Sequence, residues 1–120
     1  MTDPNFVILY VNDATASAAF YVHLLGKKPI DAAPTFAMFA LDSGVMLGLW
    51  TRSGVEPVAT APAGGELCFS VDGDTRVDAL HGEWRSRGYP IAQSPTDMDF
   101  GRTFVALDPD GHRLRVFAPR

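Results

Sequence analysis

The sequence has little cysteine, no excess of basic charge and no long hydrophobic run, and each of these absences excludes a class of function. Cys68 is the single cysteine, so no disulfide forms within the chain and a reducing cytoplasm suits it. Ten basic against 14 acidic side chains give a formal charge of −4, which provides no footprint for nucleic acid. No apolar run reaches the ~18 residues of a membrane span, and the first residues do not resemble a signal peptide. We therefore expect a cytoplasmic protein that binds neither nucleic acid nor membrane.

The chain does contain one pattern that occurs twice. Equivalent residues recur in the same order in the two halves: Val11 and Val71, Gly26 and Gly88, Pro29-Ile30 and Pro90-Ile91, Leu41-Asp42 and Leu107-Asp108. In each half a β-rich stretch precedes a helical pattern, and strands joined by tight turns follow. We predict an α+β fold of two βαβββ modules, about residues 5–51 and 65–118, joined by a linker at 52–64. They would form one domain, a curved half-open mixed sheet around a shared cavity.

Local signals place the helices of this fold. Asp13 is suited to cap a helix over about Ala14–Leu25, which Gly26 ends. A second helix is expected near Asp74–Arg87, with Trp84 directed toward the core. We expect strands near residues 5–11, 28–31, 36–41, 45–51, 66–72, 89–92, 102–107 and 113–117. The polar stretch 93–99 reads as a loop.

The alternation of side chains along strands indicates which residues face the cavity. Twelve are expected to bind a ligand: Phe6, Tyr10, Phe36, Met38, Met46, Gly48, Trp50, Glu66, Cys68, Phe100, Phe104 and Arg115. Aromatic residues on a sheet are more often core than ligand contacts, but Leu47 and Leu49 already fill the helix-facing side beside Trp50. A mostly apolar cavity with a few polar groups is typical of a small-molecule site. One cysteine and three histidines assemble no convincing nucleophile–histidine–acid set, so we expect no hydrolase site, and no catalytic residue is assigned.

The segments VNDATASAAFYVHLLG and DFGRTFVALDPDGHRLRVF resemble the vicinal oxygen chelate superfamily, which includes glyoxalase I, extradiol dioxygenases and bleomycin resistance proteins. The resemblance implies a divalent metal held by the first and last strands of each module. Here those positions hold Phe6, Gly48, Glu66 and Arg115. Only Glu66 is a possible ligand, and such sites need three or four donors. We expect no metal and no cofactor, and Glu66 either pairs with Arg115 or contacts the ligand.

Further segments look like the phenazine antibiotic resistance proteins: KKP at 27–29, LW at 49–50, EPVA at 56–59 and DFGRTF at 99–104. This resemblance implies a metal-free homodimer that sequesters a planar aromatic drug by stacking it on aromatic side chains. The alternative is a metal-dependent lyase, isomerase or dioxygenase that uses Glu66, His112 and a loop aspartate. A bleomycin-type binder is a third possibility, which the modest charge and the nearby Arg113 and Arg115 disfavour.

Overall fold

The computed structural model describes residues 3–59 and 65–120, and the chain divides into two compact units, Met1–Pro62 and Ala63–Arg120. Each unit has the order strand, helix and three strands. The elements of unit 1 are β1 (Phe6–Val11), α1 (Ala14–Leu25), β2 (Asp31–Ala33), β3 (Phe36–Ala40) and β4 (Met46–Thr51). Those of unit 2 are β5 (Glu66–Ser70), α2 (Asp74–Ser86), β6 (Ile91–Met98), β7 (Gly101–Leu107) and β8 (Arg113–Pro119). The predicted α+β class and the βαβββ order are confirmed.

Both units have the same sheet topology. The strand order is β1-β4-β3-β2 in unit 1 and β5-β8-β7-β6 in unit 2. The pairs β1–β4 and β5–β8 are parallel, and the other neighbours are antiparallel. No helix in the described part of the chain is long and apolar enough to traverse a bilayer.

The ends of α1 follow the predicted signals. Asp13 Oδ1 accepts hydrogen bonds from the backbone N–H groups of Thr15 at 3.0 Å and Ala16 at 3.4 Å, which satisfies two free donors of the first turn. Gly26 ends the helix with a left-handed φ of 68°. Thr51 Oγ1, at the end of β4, accepts a hydrogen bond from the N–H of Ala14 at 3.0 Å. The start of the helix is thereby attached to the sheet that it covers.

The core of unit 2 lies between α2 and its sheet and contains Phe104. This side chain is fully buried, and its ring lies 5.4 Å from that of Trp84 and 5.4 Å from that of His81. In the register of β7 with β8, Phe104 pairs with Val116 while Thr103 pairs with Phe117. Because neighbouring residues point to opposite faces, Phe104 faces the helix and Thr103 faces away from it. The expectation that Phe104 belongs to a ligand-binding wall is therefore wrong.

The segment predicted to be a loop at 93–99 is mostly strand. β6 extends over Ile91–Met98 and pairs with β7, with irregularities of register between Ile91 and Gln93 and between Gln93 and Thr96. It is an edge strand, where a proline such as Pro95 removes no required ladder hydrogen bond. Its polar composition and its bulges conceal the strand pattern in the sequence.

Candidate functional site

Unit 1 carries an aromatic face on the side of its sheet opposite α1. The helix side is filled by Phe39, Leu47 and Leu49, which are buried, and the Phe39 ring lies 6.5 Å from that of Tyr21 in α1. The alternating residues therefore point the other way. We define the aromatic face as Phe6, Ile8, Tyr10, Phe36, Met38, Met46, Gly48 and Trp50, which the strand register brings together.

Two rings of the aromatic face, those of Tyr10 and Phe36, contact the Trp50 ring. The Tyr10 ring lies 6.4 Å from the Trp50 ring at an interplanar angle of 82°, and the Phe36 ring lies 6.3 Å away at 85°. Both contacts are edge-to-face, the geometry that aromatic quadrupoles favour. Tyr10 on β1 and Phe36 on β3 are each paired with Trp50 on the central strand β4, so the sheet register fixes this arrangement.

Gly48 forms the floor of the aromatic face. A Cβ atom at this position would lie 2.9 Å from Cζ of Phe36 and 3.0 Å from Cε1 of Phe6. The two rings thus extend over the glycine from either side and occupy the space that a larger residue would need. The absence of a side chain at residue 48 allows this close approach to the backbone.

The part of the aromatic face that lies on β1 is exposed. Phe6 is 41% exposed, Ile8 42% and Tyr10 40%. Trp50 and Phe36 are half-buried. Single exposed apolar residues are ordinary, but a contiguous apolar patch of this kind marks an interaction site.

The corresponding face of unit 2 is polar and is organised around Arg115. Its Nε donates to Oε1 of Glu66 at 2.8 Å and its Nη2 donates to Oε2 at 3.0 Å, a bidentate pair. Its Nη1 donates to Oε1 of Gln93 at 3.3 Å and to Oγ1 of Thr103 at 3.2 Å. The Phe100 ring centroid lies 5.8 Å from the guanidinium carbon. We call these five residues the Arg115 cluster.

The charges of this cluster shift the pKa values of its members. The hydrogen bond from Arg115 holds the pKa of Glu66 below its ordinary value, and the same bond raises the pKa of Arg115. Partial burial raises the pKa of the Cys68 thiol, and the charge of Glu66 adds to that rise. Cys68 is therefore a neutral thiol near pH 7 rather than an activated nucleophile.

The residues at the positions where the sequence resemblance implies a metal do not fit a divalent ion. Phe6 and Gly48 in unit 1 have no side-chain donor. In unit 2, Glu66 is occupied by Arg115, whose positive charge would repel a metal. The predicted Glu66–Arg115 pairing is thus observed. In the alternative metal set of Glu66, His112 and a loop aspartate, the histidine already has a partner. His112 Nδ1 lies 2.8 Å from Asp108 Oδ2.

Within residues 3–59 and 65–120, one further group has metal-ligand chemistry: Asp108, Asp110 and His112. Asp108 Oδ1 accepts hydrogen bonds from the backbone N–H groups of Asp110 at 2.9 Å and His112 at 2.8 Å. This carboxylate therefore closes the turn between β7 and β8. The turn chemistry accounts for the cluster without an ion.

Most predicted site residues lie on these two faces. The aromatic face holds Phe6, Tyr10, Phe36, Met38, Met46, Gly48 and Trp50, and the open face of unit 2 holds Glu66, Cys68 and Arg115 with Phe100 beside them. Their role in binding a ligand remains a prediction. Two residues of the Arg115 cluster, Gln93 and Thr103, were missed. Strand alternation would have indicated Thr103 if Phe104 had been assigned to the core. Gln93 falls in the segment that was read as a loop.

Comparison with known proteins assigns the chain to a family. The family model of the Glyoxalase/Bleomycin resistance protein/Dioxygenase superfamily matches residues 4–116. The phenazine antibiotic resistance protein EhpR of Enterobacter agglomerans is 33% identical over 116 residues, covering 94% of this chain and 89% of that protein. The solution structure of protein ATC0852 from Agrobacterium tumefaciens is 47% identical with a TM-score of 0.88, covering 100% of this chain and 99% of that one. A glyoxalase-related enzyme from Fulvimarina pelagi shares the fold, with 22% identity, a TM-score of 0.84, and coverage of 98% and 88%.

Proposed function

Because the chain belongs to the Glyoxalase/Bleomycin resistance protein/Dioxygenase superfamily, we propose that it uses the aromatic face to bind a planar aromatic antibiotic or metabolite, phenazine-like in shape. Binding proceeds without chemical conversion and without a metal, and it confers resistance by sequestration. The observation that carries this proposal is the set of rings around Trp50 above the Gly48 floor. The family includes a relative named as a phenazine antibiotic resistance protein, which supports the choice of ligand class.

The geometry of the aromatic face suits a flat ligand. Tyr10 and Phe36 stand nearly perpendicular to the Trp50 ring, so they limit the lateral position of a molecule stacked on that ring. Each aromatic pair contributes about 0.5–1.5 kcal/mol beyond area burial. A ligand that buries ~250 Å² of apolar surface gains about 6 kcal/mol before the cost of ordering is subtracted.

Binding without conversion is supported by the chemistry of the polar groups. Glu66 is held as a carboxylate by Arg115, so it is poorly suited to act as a general base near neutral pH. The raised pKa of Cys68 disfavours nucleophilic attack. Glu66 and Cys68 are the carboxylate and the thiol on the open face of unit 2, so neither favours catalysis on that face.

We also propose that the protein is a homodimer. β1 is an edge strand, and Phe6, Val7 and Ile8 are each about 40% exposed, so apolar side chains are exposed on both of its faces. An apolar edge of this kind is a template for association unless a partner covers it. Light scattering after size exclusion is expected to give twice the chain mass of 13.0 kDa. A mass of one chain at micromolar concentration would contradict the dimer.

The two tryptophans allow a decisive binding test. Trp50 lies on the aromatic face, whereas Trp84 is 5% exposed in the core of unit 2. In Trp84→Phe all emission comes from Trp50, and titration with a phenazine is expected to quench it saturably. The matched variant Trp50→Phe keeps only the core fluorophore and lacks the central ring of the aromatic face, so its saturable quenching should be weaker than that of Trp84→Phe.

Two outcomes would contradict the proposal. If the Trp84→Phe variant shows no saturable quenching and calorimetry gives no heat across a panel of planar drugs, the aromatic face is not a drug site. If mass spectrometry of the recovered ligand shows a modified product that accumulates with time, the protein is an enzyme rather than a binder.

A further inference from the structure

The oxygen atoms of the Arg115 cluster surround the guanidinium from three directions. Glu66 on β5 supplies two oxygens, at 2.8 and 3.0 Å from the guanidinium nitrogens. Gln93 on β6 supplies its amide oxygen at 3.3 Å, and Thr103 on β7 supplies its hydroxyl oxygen at 3.2 Å. Four acceptors on three different strands therefore converge on one cationic group.

The Thr103 hydroxyl is fixed as a hydrogen-bond acceptor. Thr103 is fully buried, and its Oγ1 donates its proton to the backbone carbonyl of Val116 at 2.8 Å. The oxygen is left with lone pairs only, so it can accept from Arg115 but cannot donate to a ligand. The Arg115 side chain is 17% exposed and that of Glu66 is 26% exposed, so the pair is partly accessible to water.

The spacing of the oxygens matches a guanidinium rather than a divalent ion. Distances of 2.8–3.3 Å are hydrogen bonds from N–H donors. Metal–oxygen bonds to Mg²⁺ or Ca²⁺ are about 2.0–2.6 Å and require the oxygens to converge on one point. Here they are spread around three nitrogen atoms, and two of them form the side-on pair typical of arginine and a carboxylate.

We propose that Glu66, Gln93 and Thr103 form a guanidinium-selective cation site whose resident ligand is Arg115 of the same chain. In this protein Arg115 occupies one of the positions at which the family resemblance implies a metal ligand. The site therefore stays closed to Mn²⁺, Ni²⁺ and Zn²⁺ while Arg115 is present, and it takes an external guanidinium once that side chain is removed. This inference is independent of whether the aromatic face binds a drug.

Chemical rescue of Arg115→Ala tests the proposal. We expect the variant to unfold at a lower temperature than the wild type, and 50 mM methylguanidinium to raise its Tm by about 3–5 °C, as expected for a ligand present at several times its Kd. Equal concentrations of sodium chloride or methylurea, which has a similar shape but no charge, should give no such rise. Adding Glu66→Gln to the variant should abolish the rescue.

Arg113→Ala is the matched control. Arg113 is on the same strand, its side chain is 61% exposed, and it reaches Glu66 only at 4.0 Å. It lies outside the four-oxygen arrangement, so methylguanidinium should not raise the Tm of this variant. An equal rise in Arg113→Ala and Arg115→Ala would overturn the proposal, as would a rise produced by Mn²⁺ alone.

A measurement on the wild type covers the case in which Arg115→Ala does not fold. Titration with Mn²⁺, followed by the electron paramagnetic resonance signal of the free ion, should show no stoichiometric uptake. Uptake of one ion per chain that disappears in Glu66→Gln would show that the site accepts a metal despite Arg115. That result would refute the assignment without depending on any ligand of the aromatic face.

Discussion

Replacing Gly48 by alanine tests whether the floor of the aromatic face is a ligand surface. The added Cβ would lie 2.9 and 3.1 Å from ring atoms of Phe36 and 3.0 Å from a ring atom of Phe6. These neighbours are the far ends of side chains on an open face, so the rings can tilt aside. Tilting costs about 0.5–1.5 kcal/mol. Replacing glycine by alanine inside a strand stabilises the folded state by about 0.5–1 kcal/mol, because alanine loses less backbone entropy on folding. The free energy of unfolding should therefore change by less than about 1 kcal/mol.

Ligand binding should respond more strongly than stability. The rings of Phe6 and Phe36, which already lie over Gly48, would be pushed outward into the space where a planar ligand stacks. One lost aromatic contact costs about 0.5–1.5 kcal/mol. That range corresponds to a roughly two- to tenfold rise in Kd. Gly48→Val should raise it further, because the branched side chain cannot be accommodated by a small tilt. Calorimetry and Trp50 fluorescence in the Trp84→Phe background measure both variants.

Gly82→Ala provides the control for the glycine series. Gly82 lies within α2, and a Cβ there would meet no atom within 4 Å. Alanine should stabilise the helix by up to about 1 kcal/mol and leave binding unchanged. The reasoning is refuted if Gly48→Ala binds as tightly as the wild type. It is also refuted if Gly48→Ala lowers the free energy of unfolding by more than about 2 kcal/mol, because the rings would then be fixed core.

Three further predictions concern unit 2. Glu66→Gln should destabilise the protein by about 1–2 kcal/mol at pH 7. Folding lowers the pKa of Glu66 from 4.5. The extra stability of the wild type over Glu66→Gln is therefore complete above about that pH and disappears as the pH falls through the folded-state pKa. Urea unfolding of the two proteins at pH 7 and pH 3 measures the difference. Cys68 should react with iodoacetamide more slowly than a free cysteine at pH 8, because its pKa is raised; equal rates would contradict this. Phe104→Ala should lower the free energy of unfolding by about 3–5 kcal/mol. Phe100→Ala, at a residue 42% exposed, should lower it by less than about 1 kcal/mol, and urea unfolding of both variants measures the difference.

Local signals were sufficient to predict the helices of the fold. Asp13 and Gly26 fix the ends of α1 through contacts within a few residues, so the predicted bounds of Ala14–Leu25 agree with the structure. The strands of unit 1 were also predictable, because alternation separates Leu47 and Leu49 from Gly48 and Trp50. β2 was displaced by a few residues, since it is short and no buried side chain defines its register.

The polar part of the site was harder to predict because it depends on pairing between distant strands. Arg115 meets Glu66 across 49 residues and Gln93 across 22, and only the sheet register determines which residues become neighbours. The bulged edge strand β6 hides that register, since an irregular pairing breaks the period of two on which face assignment depends. Phe104 illustrates the same dependence, because its hydrophobicity suits a ligand wall and a core equally well. Only the register of β7 with β8, in which Thr103 pairs with Phe117, places Phe104 on the helix side of the sheet beside Trp84. Aromatic character alone therefore does not show which face of a repeated sheet a residue lies on, whereas the strand register does.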